Sequence, residues 1–444
     1  MSRHVDASDN LRALMRDHLP PKIFNRLEEI GGLAEQAGVA AFVVGGLVRD
    51  LLLGHKNLDV DITVEGDGMA FACLLADHYK GGLKIFERFA TAYVVFPNRI
   101  KFDIANTRAE QPAHPRPDAA GGWDIAAGPY CPIEQDLMRR DFTINALAIH
   151  LNARRFGRLL DPSGGLRDLR MRTIRAVYAS SFADDPTRVF RAVRFERRFG
   201  FRIETKTLRL LKDTVAAGLV HNLPGHRVKN ELLLLLAEPD PLRTIRRMAS
   251  FNLLQPIHSG LTLTPRTETL LKSLAKALTW WERQFPNRTL DRPLIYFMAL
   301  IEKFSGPTAN AFMTRLVLPA GQVEKVRTVK LRLGPVLRRA SKSRPLKPSE
   351  TYRLLIGLPD EGLTLLVAHI PSREVKQVVS AYLTTYQPTK LTLSGKNLAA
   401  MGLQSGPVYK TVLDKLLNAK LDGQITTERE ERDMAQQLVK KMAG

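Results

Sequence analysis

Apolar and polar positions in the first hundred residues follow helical and strand periods in turn. Residues 22–38 carry apolar side chains at helical spacing and end in glycine, which predicts an amphipathic helix. The run AAFVVGG at 40–46 then predicts a strand and a glycine turn, and 48–54 a short helix. Residues 58–64 (LDVDITV) alternate strictly, as a half-buried strand does. Further predicted elements of this α/β head are a helix over 68–79 and strands near 92–96 and 100–105.

Helix formers dominate from about residue 136 onward. The periodic helical segments are 186–200, 226–237, 266–284, 291–304 and a last unit at 395–442. Residues 110–131 are rich in Pro, Gly and Ala without periodicity, which predicts a loop long enough to suggest a function. We therefore predict a mixed-sheet α/β head over 1–150, and then an all-α neck over 151–260, a helical body over 261–390 and a helical tail over 391–444.

The charge of the chain indicates a polyanionic partner. Its 444 residues include 66 Lys and Arg against 45 Asp and Glu, a formal net charge of +21. Nucleic acid is the first candidate and an anionic membrane surface the second. No run of eighteen apolar residues occurs and the first residues lack a signal-peptide core, so we expect a cytoplasmic protein. Two cysteines, Cys73 and Cys131, are too few for a disulfide framework or a cysteine-rich zinc site.

Three carboxylates on the predicted strands are suited to metal-assisted phosphoryl transfer. The alternation at 58–64 places Asp59 and Asp61 on one strand face, where both can bind a metal, and Asp103 could add a third carboxylate from a later strand. Two Mg²⁺ ions would suit such oxygen ligands. Upstream, Gly45 and Gly46 would let the backbone approach a phosphate closely. A D-x-D pair on a strand is, however, most often a solvated strand face.

An arginine pair beside an aspartate forms a second candidate site. Arg139 and Arg140 could bind phosphate bidentately, while Asp141 could accept a hydrogen bond from a ribose hydroxyl. The structural alternative is a helix amino terminus capped by Asp141, with Arg139 in an ion pair. The isolated motif favours that alternative.

Four runs together resemble one enzyme family. They are VVGGLVRDLLLGHKNLDVDI at 43–62, DLMRRDFTINALAI at 136–149, DPSGGLRDL at 161–169 and SFADDPTRVFRAVRFERRFGF at 181–201. They resemble the nucleotidyltransferases of the polymerase-β superfamily, in particular the class II CCA-adding enzymes and bacterial poly(A) polymerases. This resemblance implies a polymerase-β-like catalytic head, a neck that recognises the base, and helical body and tail domains that bind RNA.

The resemblance also implies roles for particular residues. Arg140 and Arg191 would contact the triphosphate, Asp141 the ribose, and Asn145 would support the site. Asp185 and Arg188 would read the Watson–Crick edge of the incoming base, and Asp184 replaces the glutamate that is usual in this motif. Catalysis is implied for Asp59, Asp61 and Asp103, metal binding for Asp59 and Asp61, and nucleotide binding for Gly45, Gly46, Arg49, Arg140, Asp141, Asn145, Asp184, Asp185, Arg188 and Arg191.

The base-reading role is chemically reasonable. A carboxylate accepts from the exocyclic amine of cytosine or adenine, and a guanidinium donates to ring acceptors. The i, i+3 spacing of Asp185 and Arg188 predicts that both lie on one helical face. A surface salt bridge, worth under about 1 kcal/mol, is the structural alternative. His226, Arg227 and Glu231 resemble a further family element, although capping and internal ion pairing would also explain them.

The second half of the chain points to an RNA partner. Nine Lys and Arg and no acid lie between 325 and 347, which favours an RNA-backbone surface over solvated helix faces. The segment 393–432 resembles the carboxy-terminal element of tRNA CCA-, CC- and A-adding enzymes, which bacterial poly(A) polymerases lack as a group. The resemblance therefore implies the 3′ end of tRNA as substrate, with CTP, ATP or both, and implies no protein or membrane partner.

Three functions stay open at this point. The first is addition of CMP, AMP or both to tRNA, in which the loop at 110–131 would influence the number of nucleotides added. The second is a poly(A) polymerase that uses the same head. The third is a non-catalytic RNA-binding protein, which the intact motif residues argue against.

Overall fold

The computed structural model describes residues 10–87, 90–108, 130–340, 346–404 and 406–443. The chain forms two compact units, Met1–Ser259 and Gly260–Gly444. Among the described helices, none combines the length and apolarity that crossing a membrane requires.

A mixed sheet forms the centre of the first unit. Its strands within the described residues are β1 (Ala40–Val44), β2 (Val60–Glu65), β3 (Gly82–Phe86), β4 (Thr91–Val95), β5 (Lys101–Asn106), β6 (Ala148–His150) and β7 (Leu159–Leu160). Their order across the sheet is β3-β4-β5-β2-β1-β6-β7. β2 and β5 are parallel, whereas the other neighbours are antiparallel. The four predicted strands are confirmed as β1, β2, β4 and β5, and the sequence had not predicted the other three.

Helices surround this sheet in chain order. They are α1 (Arg12–His18), α2 (Pro21–Gln36), α3 (Gly46–Leu52), α4 (Gly68–Tyr79) and α5 (Ile133–Met138). The side chain of Asp67 caps α4 by accepting from the backbone nitrogens of Met69 (3.1 Å) and Ala70 (2.9 Å).

α4 covers one face of β2, β4 and β5. Tyr79 at its end contacts the ring of Phe96, which contacts the ring of Phe102 on β5. Phe102 alternates with Asp103, so the two side chains point to opposite faces. The aspartates of these strands therefore lie on the face that α4 does not cover.

A helical segment follows the sheet within the first unit. Its helices are α6 (Gly165–Arg170), α7 (Ser181–Asp184), α8 (Arg188–Phe199), α9 (Thr205–Ala216), α10 (Gly225–Leu236), α11 (Pro241–Ser250) and α12 (Leu254–Ile257), and β8 (Thr173–Ile174) pairs in parallel with β9 (Arg202–Ile203). α8 is strongly amphipathic: Val189, Phe190 and Val193 are buried on one side. The ring of Phe195 on α8 packs edge to face against the ring of Phe142, with centroids 5.9 Å apart. Phe142 directly follows Arg139, Arg140 and Asp141 in the chain. This contact anchors α8 beside the sheet.

The second unit is helical throughout its described residues. Its elements are α13 (Pro265–Gln284), α14 (Arg292–Leu300), α15 (Gly306–Arg315), α16 (Ala320–Ala340), α17 (Pro348–Leu355), α18 (Asp360–His369), α19 (Arg373–Ala381), a π-helical turn (Tyr382–Tyr386), α20 (Gly395–Ala400), α21 (Pro407–Leu421) and α22 (Glu428–Ala443). Glu431 is buried between the last helices, where it accepts from the Leu393 nitrogen (2.8 Å) and from Lys420 Nζ (2.9 Å).

Several cations of the basic run on α16 bind within the unit, so packing accounts for part of this charge, and the RNA surface stays a prediction. Lys325 Nζ lies 2.6 Å from a Glu361 carboxylate oxygen. Lys330 Nζ donates to the carbonyls of Ile301 (3.1 Å) and Glu302 (2.9 Å) at the end of α14. Much of this charge therefore stabilises the helical packing.

Candidate active site

The glycine turn after β1 has a backbone that favours glycine. Gly45 has φ +67°, and a Cβ there would lie 3.1 Å from Nη1 of Arg140. The backbone nitrogen of Gly45 donates to the Leu147 carbonyl, and Gly46 begins α3. The turn therefore brings the backbone of Gly45 close to the guanidinium of Arg140.

The three predicted catalytic carboxylates come together at the central strands β2 and β5, on the sheet face that α4 leaves uncovered. Asp61 on β2 lies directly opposite Asp103 on β5, and Asp59 immediately precedes β2. Burial, together with the negative charges of Asp59 and Asp103, raises the pKa of Asp61 to about 6. Lys101 Nζ pairs with Asp103 at 2.8 Å.

The oxygen ligands of this carboxylate group fit a hard divalent cation. Carboxylate oxygens are the ligands that Mg²⁺ prefers, and the negative charges of Asp59 and Asp103 add to burial in raising the pKa of Asp61. In the described part of the chain, no group of three or more His, Cys, Asp or Glu side chains is arranged to hold a metal ion. Asp59 and Asp61 fit the cation by their chemistry, whereas Asp103 is engaged by Lys101.

A polar cavity of about 720 Å³ opens beside these carboxylates. Its lining includes eight cations and six acids, so it carries excess positive charge that suits a nucleoside triphosphate. The lining residues are Gly45, Gly46, Arg49, Asp50, Lys56, Asn57, Asp59, Asp61, Arg140, Asp141, Asn145, Asp185, Thr187, Arg188, Arg191, Arg194, Phe195, Arg198, Arg227 and Glu231.

Arg140 is fixed at the border of this cavity by a buried carboxylate. Its Nη2 donates to Asp136 at 2.9 Å, and Arg139 binds the other oxygen of the same carboxylate. Burial alone would raise the pKa of Asp136, but the charges of Arg140 and Arg139 lower it below its ordinary value. Arg140 Nε is buried without a hydrogen-bond partner, so part of the guanidinium keeps unused donor capacity.

Asp141 forms an ion pair with α8 and does not cap a helix. Its Oδ2 accepts from Arg191 Nε at 2.7 Å, and its Oδ1 accepts from Asn145 Nδ2 at 3.0 Å. Burial opposes the ionised form, yet Arg191 and these hydrogen bonds lower the pKa of Asp141. The chain continues through a 3-10 turn, Thr143–Asn145, into β6.

Hydrogen bonds to Asn145 and Asp50 hold Arg49 in the wall of the cavity. Its Nη1 donates to Asn145 Oδ1 at 2.6 Å and its Nε to Asp50 at 2.8 Å. The guanidinium also lies over the rings of Phe195 and Phe199, with centroids at 5.2 and 4.7 Å. The structure thus places Arg49 as a buried link between α3, the 3-10 turn and α8.

Asp185 and Arg188 both line the cavity, but they do not share a helical face as predicted. Asp185 precedes α8, and its Oδ1 accepts from the Thr187 nitrogen at 3.0 Å, because the aspartate is part of the turn that starts the helix. Arg188 donates to the Arg139 carbonyl at 2.9 Å and to Ser181 Oγ at 2.6 Å.

Asp184 lies outside the cavity. It is exposed, and its carboxylate accepts from Ser180 Oγ at 2.8 Å. α7 ends at this residue, and only the neighbouring Asp185 lines the cavity.

Comparisons with known proteins agree with this arrangement. A family model described as "Poly A polymerase head domain" matches residues 41–175, and one described as "Probable RNA and SrmB-binding site of polymerase A" matches residues 200–264. The A-adding tRNA nucleotidyltransferase of Halalkalibacterium halodurans is 31% identical over 409 residues, which are 91% of this chain and 90% of that protein. The chain belongs to the tRNA nucleotidyltransferase family.

Two further similarities extend over nearly the whole chain. The solved Thermotoga maritima CCA-adding enzyme complexed with tRNA is 33% identical, with 98% of this chain and 99% of that chain covered and a TM-score of 0.74. The A-adding tRNA nucleotidyltransferase of Geobacter sulfurreducens is 37% identical over 96% of this chain but only 48% of its own length. This chain thus spans about half the length of that family member.

Several residues of the cavity are not among those predicted from the sequence. Two others, Arg227 and Glu231, have a sequence pattern that capping or internal ion pairing would also explain. Arg227 Nη2 binds Asp185 at 2.9 Å, and Glu231 lies 3.9 Å from both Arg191 and Arg194. Burial raises the pKa of Glu231. The residues missed altogether are Asp50, Lys56, Asn57, Thr187, Arg194, Phe195 and Arg198.

Helical periodicity in α8 could have identified part of this set. Arg188, Arg191, Arg194 and Arg198 recur every three to four residues, opposite the buried apolar positions. That spacing indicates a continuous basic face. No comparable signal marks Lys56 or Asn57, which reach the cavity from a loop. The loop predicted at 110–131 lies, except for Tyr130 and Cys131, outside the described residues.

Proposed function

We propose that this chain transfers nucleoside monophosphates from ATP, CTP or both to the 3′ hydroxyl of tRNA. The observation that carries this proposal is the pairing of Asp61 with Asp103 beside a cavity lined by eight cations. A triphosphate placed in the cavity would present its α-phosphorus to the carboxylates. The names of family members, which add A or CCA to tRNA, support the choice of substrate.

Asp59 and Asp61 are the residues that would hold Mg²⁺. Two such ions, when bound, would lower the pKa of the attacking hydroxyl and neutralise the leaving pyrophosphate. Arg140, fixed by Asp136 through Nη2, would bind a phosphate oxygen through Nη1, which lies beside the glycine turn. Arg191 is held toward the cavity by Asp141, so we propose that this ion pair positions a triphosphate contact beside the ribose.

We propose that Asp185 and Arg188 read the edge of the incoming base. A carboxylate has about four acceptor positions; Asp185 uses two for Thr187 and one for Arg227, which leaves one for an exocyclic amine. Arg188 is held by backbone carbonyls and hydroxyls, so its position does not depend on a bound nucleotide. Adenine and cytosine both offer such an amine, in contrast to uracil.

The number of nucleotides added is decided by giving the protein tRNAs that lack the terminal A, CA or CCA, with each triphosphate separately. We expect one AMP on tRNA that lacks only A, because two of the family members described above are named A-adding. CMP addition to the shorter tRNAs would extend the activity to CCA synthesis. Long heterogeneous tails would instead indicate a poly(A) polymerase, and no product with any tRNA would contradict the proposed activity.

A further inference from the structure

The sheet face that α4 leaves uncovered continues from the catalytic carboxylates to the edge strand. Residues directly opposite on neighbouring strands point to the same face, and Asp61, Asp103, Tyr93 and Lys84 form one such row. Phe86 and Thr91 lie in the next row. We call Lys84, Phe86, Thr91, Tyr93 and Lys101 the aromatic–lysine face.

Rings and ammonium groups alternate on this face. Lys84 Nζ lies 5.2 Å from the Phe86 ring centroid, and Lys101 Nζ lies 5.0 Å from that of Tyr93. The two rings are 5.9 Å apart. Phe86 is 38% exposed, although phenylalanine is among the residues most often buried. Aromatic rings interleaved with cations are the features with which proteins bind single-stranded nucleic acid, because bases stack on the rings and phosphates meet the cations.

A second cleft connects this face to the carboxylates. Its volume is about 320 Å³, and Phe86, Thr91 and Asp103 line it. Asp61 and Arg140 line both this cleft and the 720 Å³ cavity, so the two spaces meet beside these two residues. Asp103, in contrast, lines only the smaller cleft and not the larger cavity. If the triphosphate occupies the larger cavity, the smaller cleft offers the attacking hydroxyl a separate approach to the same carboxylates.

We propose that the aromatic–lysine face holds the unpaired 3′ end of the acceptor RNA, with its terminal base stacked on Phe86 and its phosphates near Lys84 and Lys101. This inference rests on the proposed function and adds where the acceptor lies. Phe86 then acts as a positioning residue, which places the 3′ hydroxyl beside Asp103 without taking part in the chemistry.

Photo-cross-linking tests the location without requiring turnover. A tRNA that lacks its terminal A and carries 5-iodocytidine as its last nucleotide is irradiated with the wild-type protein in the absence of triphosphates. We expect the cross-linked peptide to contain Phe86 or Tyr93. A cross-link to any other part of the chain, or none at all, overturns the inference.

Kinetics test whether the base stacks on this ring. Phe86→Ala should raise the KM for tRNA about tenfold, the effect of losing one base–ring stack, and leave the KM for ATP unchanged. On a tRNA whose last nucleotide is abasic, the same substitution should have no further effect, and Phe86→Tyr should restore the normal KM. Ile85→Ala is the matched control, because Ile85 is also 38% exposed but points to the opposite face.

The outcomes separate the two proposals. Equal losses for Phe86→Ala and Ile85→Ala, or a rise in the KM for ATP, would show a structural effect of the substitution and contradict the stacking role. A wild-type protein that adds nothing to any tRNA would contradict the proposed activity, while the cross-link would still report on the face.

Discussion

At the scale of single residues, Asp61 is held in an environment that disfavours its ionised form. Its pKa rises from 3.8 to about 6, so the folded state binds this proton more tightly than the unfolded chain does. The resulting stability is fully present below pH 3.8 and is lost as the pH rises through 6. At pH 7.5 the ionised carboxylate therefore costs the metal-free protein up to about 3 kcal/mol relative to an unperturbed aspartate.

We predict that Asp61→Asn abolishes nucleotide addition and yet raises the free energy of unfolding at pH 7.5 in EDTA, because it removes that charge. Urea unfolding at pH 7.5 and 4.5 measures the effect, which should shrink at the lower pH. Asp184→Asn, at an exposed carboxylate outside the cavity, is the control and should change neither activity nor stability. Identical midpoints for Asp61→Asn and wild type at pH 7.5 would disprove the electrostatic explanation.

Gly45 allows a separate test of the triphosphate contact. Gly45→Ala strains a backbone at φ +67° and places a methyl group against Arg140, whereas Gly38→Ala strains a backbone at φ +69° with nothing within 4 Å. Gly38→Ala should lose about 1 kcal/mol of stability, and Gly45→Ala should lose more, because its ψ of −122° lies outside the left-handed helical region and its Cβ meets Arg140. We expect Gly45→Ala alone to raise the KM for ATP, by about tenfold, as measured in initial-rate assays. A similar KM for the two variants would mean that Arg140 does not bind the triphosphate.

Sequence periodicity predicted which residues could carry chemistry better than it predicted what they contact. Strand alternation and the resemblance brought out Asp59, Asp61 and Asp103, which the structure places together. The pairing of Asp141 with Arg191 joins residues fifty positions apart, and no local pattern encodes such a contact. Arg227 was explained as an internal ion pair; the structure shows that its partner is Asp185, inside the cavity.

At the scale of elements, α16 shows how a basic run can serve packing. Lys330 donates to carbonyls that the end of α14 leaves without helical partners, and burial lowers its pKa. We predict that Lys330→Met lowers the free energy of unfolding by about 2 kcal/mol, since it leaves these carbonyls unsatisfied. The KM for tRNA should not change.

Arg338→Met, at an exposed position of the same helix, is the control for this prediction and should leave the unfolding midpoint unchanged. Differential scanning calorimetry compares the two variants. A higher KM for tRNA with an unchanged free energy of unfolding for Lys330→Met would show that Lys330 contacts RNA and does not stabilise the packing.

Elements with a clear period were predicted well, and short or irregular ones were not. α2, α4, β1 and β2 follow their apolar patterns to within two residues. β3 begins at the Gly81–Gly82 pair and has five exposed residues, so no alternation of buried and exposed side chains marks it. Asp185 and Arg188 have helical spacing, but the helix begins only at Arg188, because Asp185 and Thr187 form the turn before it.

At the scale of the whole molecule, the net charge of +21 should dominate tRNA affinity. Each phosphate that the protein neutralises releases counterions, which makes binding strongly dependent on salt. Raising KCl from 50 to 200 mM should weaken tRNA binding by at least about tenfold, as measured by filter binding. The KM for ATP, whose site is a confined cavity, should change much less. A tRNA affinity that is independent of salt would contradict an electrostatic interface.

The α/β head followed by helices agrees with the fold of the solved family members. The four domain boundaries stay predictions, since the structure resolves the chain into two compact units. Composition could indicate a nucleic-acid partner, but which cations face RNA depends on tertiary pairing. Lys325 and Lys330 illustrate this, because their partners Glu361 and the end of α14 are distant in sequence.

The parallel register of β2 and β5 has a consequence for how such a chain tolerates changes in length. Asp61 and Asp103 share a face only because each strand keeps its count of residues. Deleting one residue between Lys101 and Asp103 would turn the latter carboxylate toward α4, whereas replacing Asp103 by glutamate moves the carboxylate by only one methylene. Insertions and deletions are therefore expected at the turns that bound these strands, and frame-preserving indel scanning of β5 should be far more damaging than substitution scanning.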